Sequence, residues 1–216
     1  MTELSGSGSA QRRREERRKR AADMVMHLRR EVLLAPGRRA AVRAALGHEP
    51  GSPRTFRAYR EISAFLAPGL PKREEEAFLA VAAMLCAQPA GNRKQDVTAA
   101  DAEEKGPQRT RTLGGSCALA VNRSEITEKS VEARLHQLCR GDSRSLHRQL
   151  PRLVHHLRGV GVEVEWTHLV DDMTRWDIDR ERIAAGWLRE FYQGLTARSA
   201  TQKTTPEDDA SQEDQA

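Results

Sequence analysis

Five basic side chains recur at helical spacing in the second half of the chain. They are Arg144, Arg148, Arg152, His155 and Arg158, separated by four, four, three and three residues. On a helix this spacing sets them along one face, and a rise of about 1.5 Å per residue stretches the strip over about 21 Å. No Asp or Glu occurs between Ser143 and Val162. A solvated helix ordinarily mixes signs, so an acid-free strip of this length suits a run of phosphates. The chemistry would be electrostatic, with guanidinium groups following a nucleic-acid backbone irrespective of base sequence. A basic face that is merely solvated, or that meets acidic protein surface, is the alternative reading.

Two further clusters share this character. Arg38, Arg39 and Arg43 form one acid-free group, and Arg109 and Arg111 stand ahead of a predicted helix N-terminus, where free backbone N–H groups favour anions. Together the three clusters make a dispersed phosphate-contacting surface. Other chemistry lacks its motifs: there is no HExxH, no paired CxxC and no phosphate-cradling GxxxxGK. Cys86, Cys117 and Cys139 fall inside helical stripes and read as packing residues. His155 and His156 diverge on a helix, which opposes chelation by both. Asp171 and Asp172 read as exposed acids, and Arg140-Gly141-Asp142 as a helix stop followed by a cap. No catalytic residue, metal or cofactor is expected, and the chain does not read as an enzyme.

The elements that must carry these side chains are helical. Ala21, Val25, Leu28 and Val32 form one stripe, closed at Pro36-Gly37. A short helix is predicted over Arg38–Leu46, and Phe56, Tyr59, Ser63 and Leu66 suggest another. Glu74, Glu75 and Glu76 precede the apolar run 77–87, the predicted central buried helix. Gln88–Arg111 is polar and reads as a long surface loop. Leu113–Val121 and the stripe Val131, Leu135, Leu138 and Cys139 follow. Asp142 or Ser143 then caps a helix carrying Leu146, Leu150, Leu153, Val154 and Leu157. Pro151 inside it predicts a kink or two abutting segments. Trp166, Leu169, Val170, Met173 and Trp176 line the next helix, and Asp177 or Asp179 starts the last, with Ile183, Trp187 and Phe191 inward. Only Val160–Trp166 alternates, and it is short.

The expected fold is all-α, a compact multi-helix bundle of two helical lobes joined by a long polar loop. Its parts are a flexible basic leader (1–22), an N-terminal lobe (23–90), a surface loop (91–111), a C-terminal lobe (112–196) and a flexible acidic tail (197–216). The run Arg12–Arg20 reads as a solvated helix start, with a nucleic-acid arm as the alternative.

Composition sets the outer limits. The chain has 216 residues with 36 basic and 31 acidic groups, a net charge of +5, and only 4% aromatics. The longest apolar run, 77–87, is half of what a membrane span needs, about 20 residues. Three sparse cysteines exclude a disulfide scaffold and point to a reducing, cytoplasmic compartment. Five of the nine aromatics (Trp166, Trp176, Trp187, Phe191 and Tyr192) lie in the last two helices. Three of them fit core stripes, so contact with backbone rather than bases is expected.

An ordered set of segments resembles the CasB family, the small subunit of the type I-E CRISPR surveillance complex, Cascade. The segments are Phe78-Leu79-Ala80-Val81-Ala82-Ala83, Thr112-Leu113-Gly114-Gly115, the stretch from Leu146 to Leu157, and Val164-Glu165-Trp166. Leu169, Met173-Thr174-Arg175-Trp176 and Trp187-Leu188-Arg189-Glu190-Phe191-Tyr192 complete it. The resemblance covers roughly residues 24–195. It implies an all-helical, non-catalytic subunit, present as two copies, that touches the CRISPR RNA–target DNA heteroduplex backbone and helps hold the displaced strand. Guide pairing reads the sequence in such complexes. Its implied partners are CRISPR RNA, target DNA, other Cascade subunits and a second copy of itself, with no membrane. By position it implies backbone-contacting roles for Arg38, Arg39 and Arg43, for Arg109 and Arg111, and for Arg148, Arg152 and Arg158. The alternative is a helix-turn-helix regulator formed by Val131–Arg140, the Gly141-Asp142 turn and Ser143–Arg158. A protein-interaction adaptor is a third reading.

Overall fold

The computed structural model describes residues 4–102, 111–123 and 125–203, with side chains over 8–96, 111–123 and 125–197. Among these residues every regular element is helical, and no strand occurs. Helix α1 spans Leu4–His27 and widens into a π-helical turn at Leu28–Val32. Its apolar stripe is buried as the spacing predicts, with Ala21, Leu28 and Val32 at 0% exposure. The basic leader, however, is neither loose nor a free arm. Arg14 and Arg17 pair with Asp171 at 2.8 and 2.5 Å, and Arg20 pairs with Glu74 at 2.6 Å. Asp171 and Asp172 are correspondingly buried, not exposed. Burial alone would raise the Asp171 carboxyl, but hydrogen bonds from Arg17 and Arg14 overcome it and hold the group below its ordinary value.

Helix α2, Pro36–Arg43, opens on the proline that ends the preceding stripe, since Pro suits the first helical position. A string of turns leads to the single-turn helix α3, Tyr59–Ile62, and a 3-10 turn, Ser63–Phe65. Phe56, expected on a helical stripe, lies outside α3 and is 59% exposed. Helix α4, Lys72–Cys86, begins with Glu74 and Glu75 in its first turn and is buried along its length from Ala77, apart from Ala80.

The long loop expected over 91–111 is in large part a helix, α5, Ala90–Ala102. It escapes hydrophobic periodicity because its inward stripe is polar. Asn92 and Asp96, four apart on it, are buried, as is Gln88 in the bend just before it. Helix α6, Leu113–Asn122, is capped by the Thr112 hydroxyl, which accepts from the Gly115 N–H. Gly114 lies inside it, at a crossing so close that a Cβ there would stand 1.7 Å from the Trp187 carbonyl oxygen.

Helix α7 covers Glu128–Arg140, and α8 covers Ser143–Gly159 without interruption at Pro151. Proline inside a helix costs about 3 kcal/mol. Burial of Leu146, Leu150, Leu153 and Leu157, each contributing roughly 1.5–3 kcal/mol, offsets that. The alternating stretch after α8 is extended but has no partner strand. Val162, Val164 and Trp166 point inward while Glu163 is exposed. Helix α9, Trp166–Lys203, breaks at Asp179 (φ −126°, ψ 25°), where the acid–acid pair Asp177/Asp179 predicts a new start.

The core is one cluster fed by α1, α2, α4 and α6 to α9, with Ile62 of α3. The two expected lobes therefore share a continuous interior. Trp166, Trp176, Trp187 and Phe191 lie within it at 1% exposure or less, and the Trp176 and Trp187 rings stack at 5.0 Å. Cys86 and Cys117 are buried, which pushes both thiols up to about 12. No described helix is long and apolar enough to cross a membrane.

Candidate nucleic-acid interface

Helix α8 is fixed before it can present anything. Asp142 caps it, its carboxylate accepting the Ser145 N–H at 2.8 Å, and hydrogen bonding from the Ser145 side chain first, then from that N–H, holds the carboxyl below its usual range. The leucine face is buried and sets the rotation of the helix. The opposite face carries Arg144, Arg148, Arg152 and His155, all exposed. Arg144 is 85% exposed and lies 3.9 Å from Glu49, itself exposed, a contact worth little in water. Among the described residues no carboxylate pairs with Arg148 or Arg152. His147 and His156 flank the strip, and burial lowers both below the ordinary histidine value, so neither adds charge at neutral pH. Arg134 of α7, which the spacing argument passed over, lies near enough to His156 to reinforce that lowering.

The fifth expected member of the strip is not in it. Arg158 is 0% exposed. Its Nε donates to Gln88 Oε1, its Nη1 to the Val162 carbonyl at 3.1 Å, and its Nη2 to the Asn92 carbonyl at 3.2 Å and Asp96 Oδ2 at 3.1 Å. Arg29 approaches the other oxygen of Asp96 at 3.5 Å. Burial draws the Arg158 guanidinium below its ordinary value, opposed by the Asp96 charge. Arg158 thus ties the end of α8 to the polar stripe of α5 and offers no group to a ligand. The three-residue step from His155 carries it round the helix from the solvent face onto α5.

The Arg38 cluster also divides. Arg38 grips the buried carboxylate of Glu61 through Nε and Nη2, at 3.0 and 2.7 Å to Oε2, and reaches Glu31 at 3.4 Å. That pairing holds Glu61 below the usual carboxylate range despite its burial. Arg39 donates to the Leu33 carbonyl at 3.2 Å and is half-buried, whereas Arg43 is exposed. Arg93 of α5 joins Arg39 and Arg43. Burial first, then the repulsion of those two arginines, lowers its guanidinium. Hidden in the polar stretch read as a loop, Arg93 gave no periodic signal. Arg111 is half-buried beside Gly115 and Glu190. The α6 N-terminus expected to attract an anion already holds one, since Glu190 accepts from the Thr112 N–H at 3.0 Å and hydroxyl at 2.9 Å. Arg109 lies outside the described residues.

The exposed strip therefore reduces to Arg144, Arg148, Arg152 and His155, with Arg43 displayed separately on α2. Both helices pack on α4.

Comparison with known proteins places this arrangement. The family described as CRISPR-associated protein Cse2 matches residues 38–192. A solved chain from a structure described as a CRISPR RNA-guided surveillance complex is 30% identical, with a TM-score of 0.76, covering 86% of this chain and 99% of that one. A second, from a pre-nicking form of a complex so described, is 31% identical with the same TM-score, covering 86% and 98%. CasB from M. ruber, at 20% identity and a TM-score of 0.65 over 84% of this chain and 97% of that one, shares the fold. No curated protein matches the sequence. The match spans most of the chain and includes α8 with its exposed basic face, and on that ground the chain belongs to the Cse2 family of CRISPR-associated proteins.

Proposed function

We propose that this chain is a non-catalytic subunit of an RNA-guided antiviral surveillance complex. In that role its α8 strip contacts the backbone of the CRISPR RNA–target DNA heteroduplex and the displaced strand, stabilising the R-loop. The observation that carries the reading is the exposed, acid-free row Arg144, Arg148, Arg152 and His155, opposed on the same helix by a fully buried leucine face. Such a surface binds phosphates without reading bases, which suits a complex whose guide RNA supplies the specificity. The two similar solved chains come from structures described as CRISPR RNA-guided surveillance complexes. The other complex subunits, and a second copy of this chain, are the protein partners the reading requires. Cytoplasmic placement, where guide RNA and invading DNA meet, accords with it. Family membership removes the reason to treat α7 and α8 as a helix-turn-helix.

The test is R-loop formation by the reassembled complex carrying Arg148→Ala and Arg152→Ala. Both positions are exposed and make no described ion pair, so assembly should be normal. Target affinity should fall at least about tenfold. Unchanged R-loop formation by a fully assembled variant complex contradicts the proposal.

A further inference from the structure

A second acid-free stretch lies far from α8 in sequence. Between Glu49 and Glu61 there is no Asp or Glu, yet Arg54, Arg57 and Arg60 recur at intervals of three. All three are exposed. Arg54 approaches only the His48 ring, at 3.5 Å, and among the described residues neither Arg57 nor Arg60 pairs with a carboxylate. The nearest acids in sequence are already engaged. Glu61 is held by Arg38, and Glu49 is shared between Lys72 and Arg144.

In the midst of these arginines stands Phe56, 59% exposed. It is the one phenylalanine so exposed among the described residues. Leaving most of a phenyl ring in water forgoes the free energy of burying it. The backbone that carries the ring is fixed. Thr55, just before it, and Ala58, two residues after it, are both at 0% exposure. Successive turns, Thr55 N–H to the Ser52 carbonyl at 2.8 Å and Ala58 N–H to the Thr55 carbonyl at 2.9 Å, lock the segment. Beside the segment runs an open depression lined by Gly37, Ala40 and Ala41 of α2, by Ala44 just after it and by Pro53, and edged by Arg54 and Arg57. Small residues there leave room for a flat group to lie close to the backbone.

We propose that Phe56, set among Arg54, Arg57 and Arg60, is a stacking platform for the bases of single-stranded nucleic acid. An aromatic face set in a cationic surface is the combination that binds single strands with little sequence preference. The phenyl ring supplies stacking and the arginines neutralise the flanking phosphates. The paired bases of a duplex are not free to stack there. The inference rests on the nucleic-acid reading above and gives single-stranded nucleic acid, the form of the displaced strand, a second site away from α8.

Two variants test it in the full-length protein, with oligothymidylate and an RNA–DNA heteroduplex as probes. Native Trp166, Trp176 and Trp187 are buried at 1% exposure or less, so Phe56→Trp introduces the exposed fluorophore. Oligothymidylate should quench it, and the heteroduplex should not. Phe56→Ala and Phe56→Leu should each weaken oligothymidylate binding at least about fivefold, because leucine keeps apolar area but has no π-face. Heteroduplex affinity should be unchanged in both. Unaltered oligothymidylate binding without quenching overturns the inference and leaves the α8 reading intact. Quenching only on addition of the other complex subunits overturns it too, making Phe56 an anchor for protein. Binding of neither probe by the wild-type chain defeats the nucleic-acid reading itself.

Discussion

At the scale of single residues, identity and spacing do not separate a ligand-facing arginine from one that holds the fold. Arg152 and Arg158 belong to the same acid-free run, yet one is exposed and the other is at 0%. The difference was written in Asn92 and Asp96, whose spacing of four matches a helix but whose polarity hides it, and in Gln88 just before them. Removing Arg158 leaves the Asp96 carboxylate with a weakened partner and two carbonyls unsatisfied. Arg158→Ala should therefore destabilise the protein by about 3–5 kcal/mol, read as a shifted denaturant midpoint. Arg158→Lys should recover little of this, since an ammonium cannot span the Gln88, Asn92 and Val162 acceptors. A variant as stable as wild type would refute the structural role. His168 makes a second residue-scale case. Its hydrogen bond with Asp172, at 3.5 Å, raises its pKa above the ordinary value despite burial. A raised folded value stabilises fully below the unfolded value of about 6.5, and that contribution disappears as pH climbs through the folded value. The melting-temperature gap between wild type and His168→Gln should accordingly be wider at pH 5.5 than at pH 8.5. An equal gap at both would show that the charged pair contributes nothing.

At the scale of elements, the helices that bury apolar stripes were legible, and those held by charge were not. The stripes of α1, α4, α7 and α8, the Asp142 cap and the Asp179 break all follow from residue patterns that burial then satisfied. Pro151 misled because a local rule was outweighed by four buried leucines. Helix α5 and the start of α1 are anchored by ionic and amide contacts whose partners lie 54 to 157 residues away. No local window can see such pairs. Arg14 and Arg17 converge on Asp171, so Asp171→Asn should loosen α1 from α9. Hydrogen exchange over residues 8–20 should rise well above that of α4, with stability reduced by roughly 3 kcal/mol. Undiminished protection of α1 would mean that apolar packing at Ala21 and Met24 suffices to dock it.

At the scale of the whole molecule, net charge is a poor guide to the binding face. Of the 36 basic groups, Arg14, Arg17 and Arg20 of α1 neutralise buried acids, and Arg38 and Arg158 are occupied internally. The outer face of α8, Arg43 and the arginines around Phe56 are among those left exposed. The all-α class and the family were legible because they depend on the order of apolar stripes and buried rings. The composition of the site was not, because it depends on which arginines the fold consumes. The account turns on α8 as a phosphate-binding surface, and the most direct measurement is the salt dependence of heteroduplex affinity for wild type and for Arg144→Gln, Arg148→Gln, Arg152→Gln. Each lost phosphate contact should flatten the plot of log affinity against log salt by about one unit, so the triple variant should bind more weakly and with a slope shallower by up to about three. Identical slopes for the two proteins would contradict the account and move the interface elsewhere on the molecule.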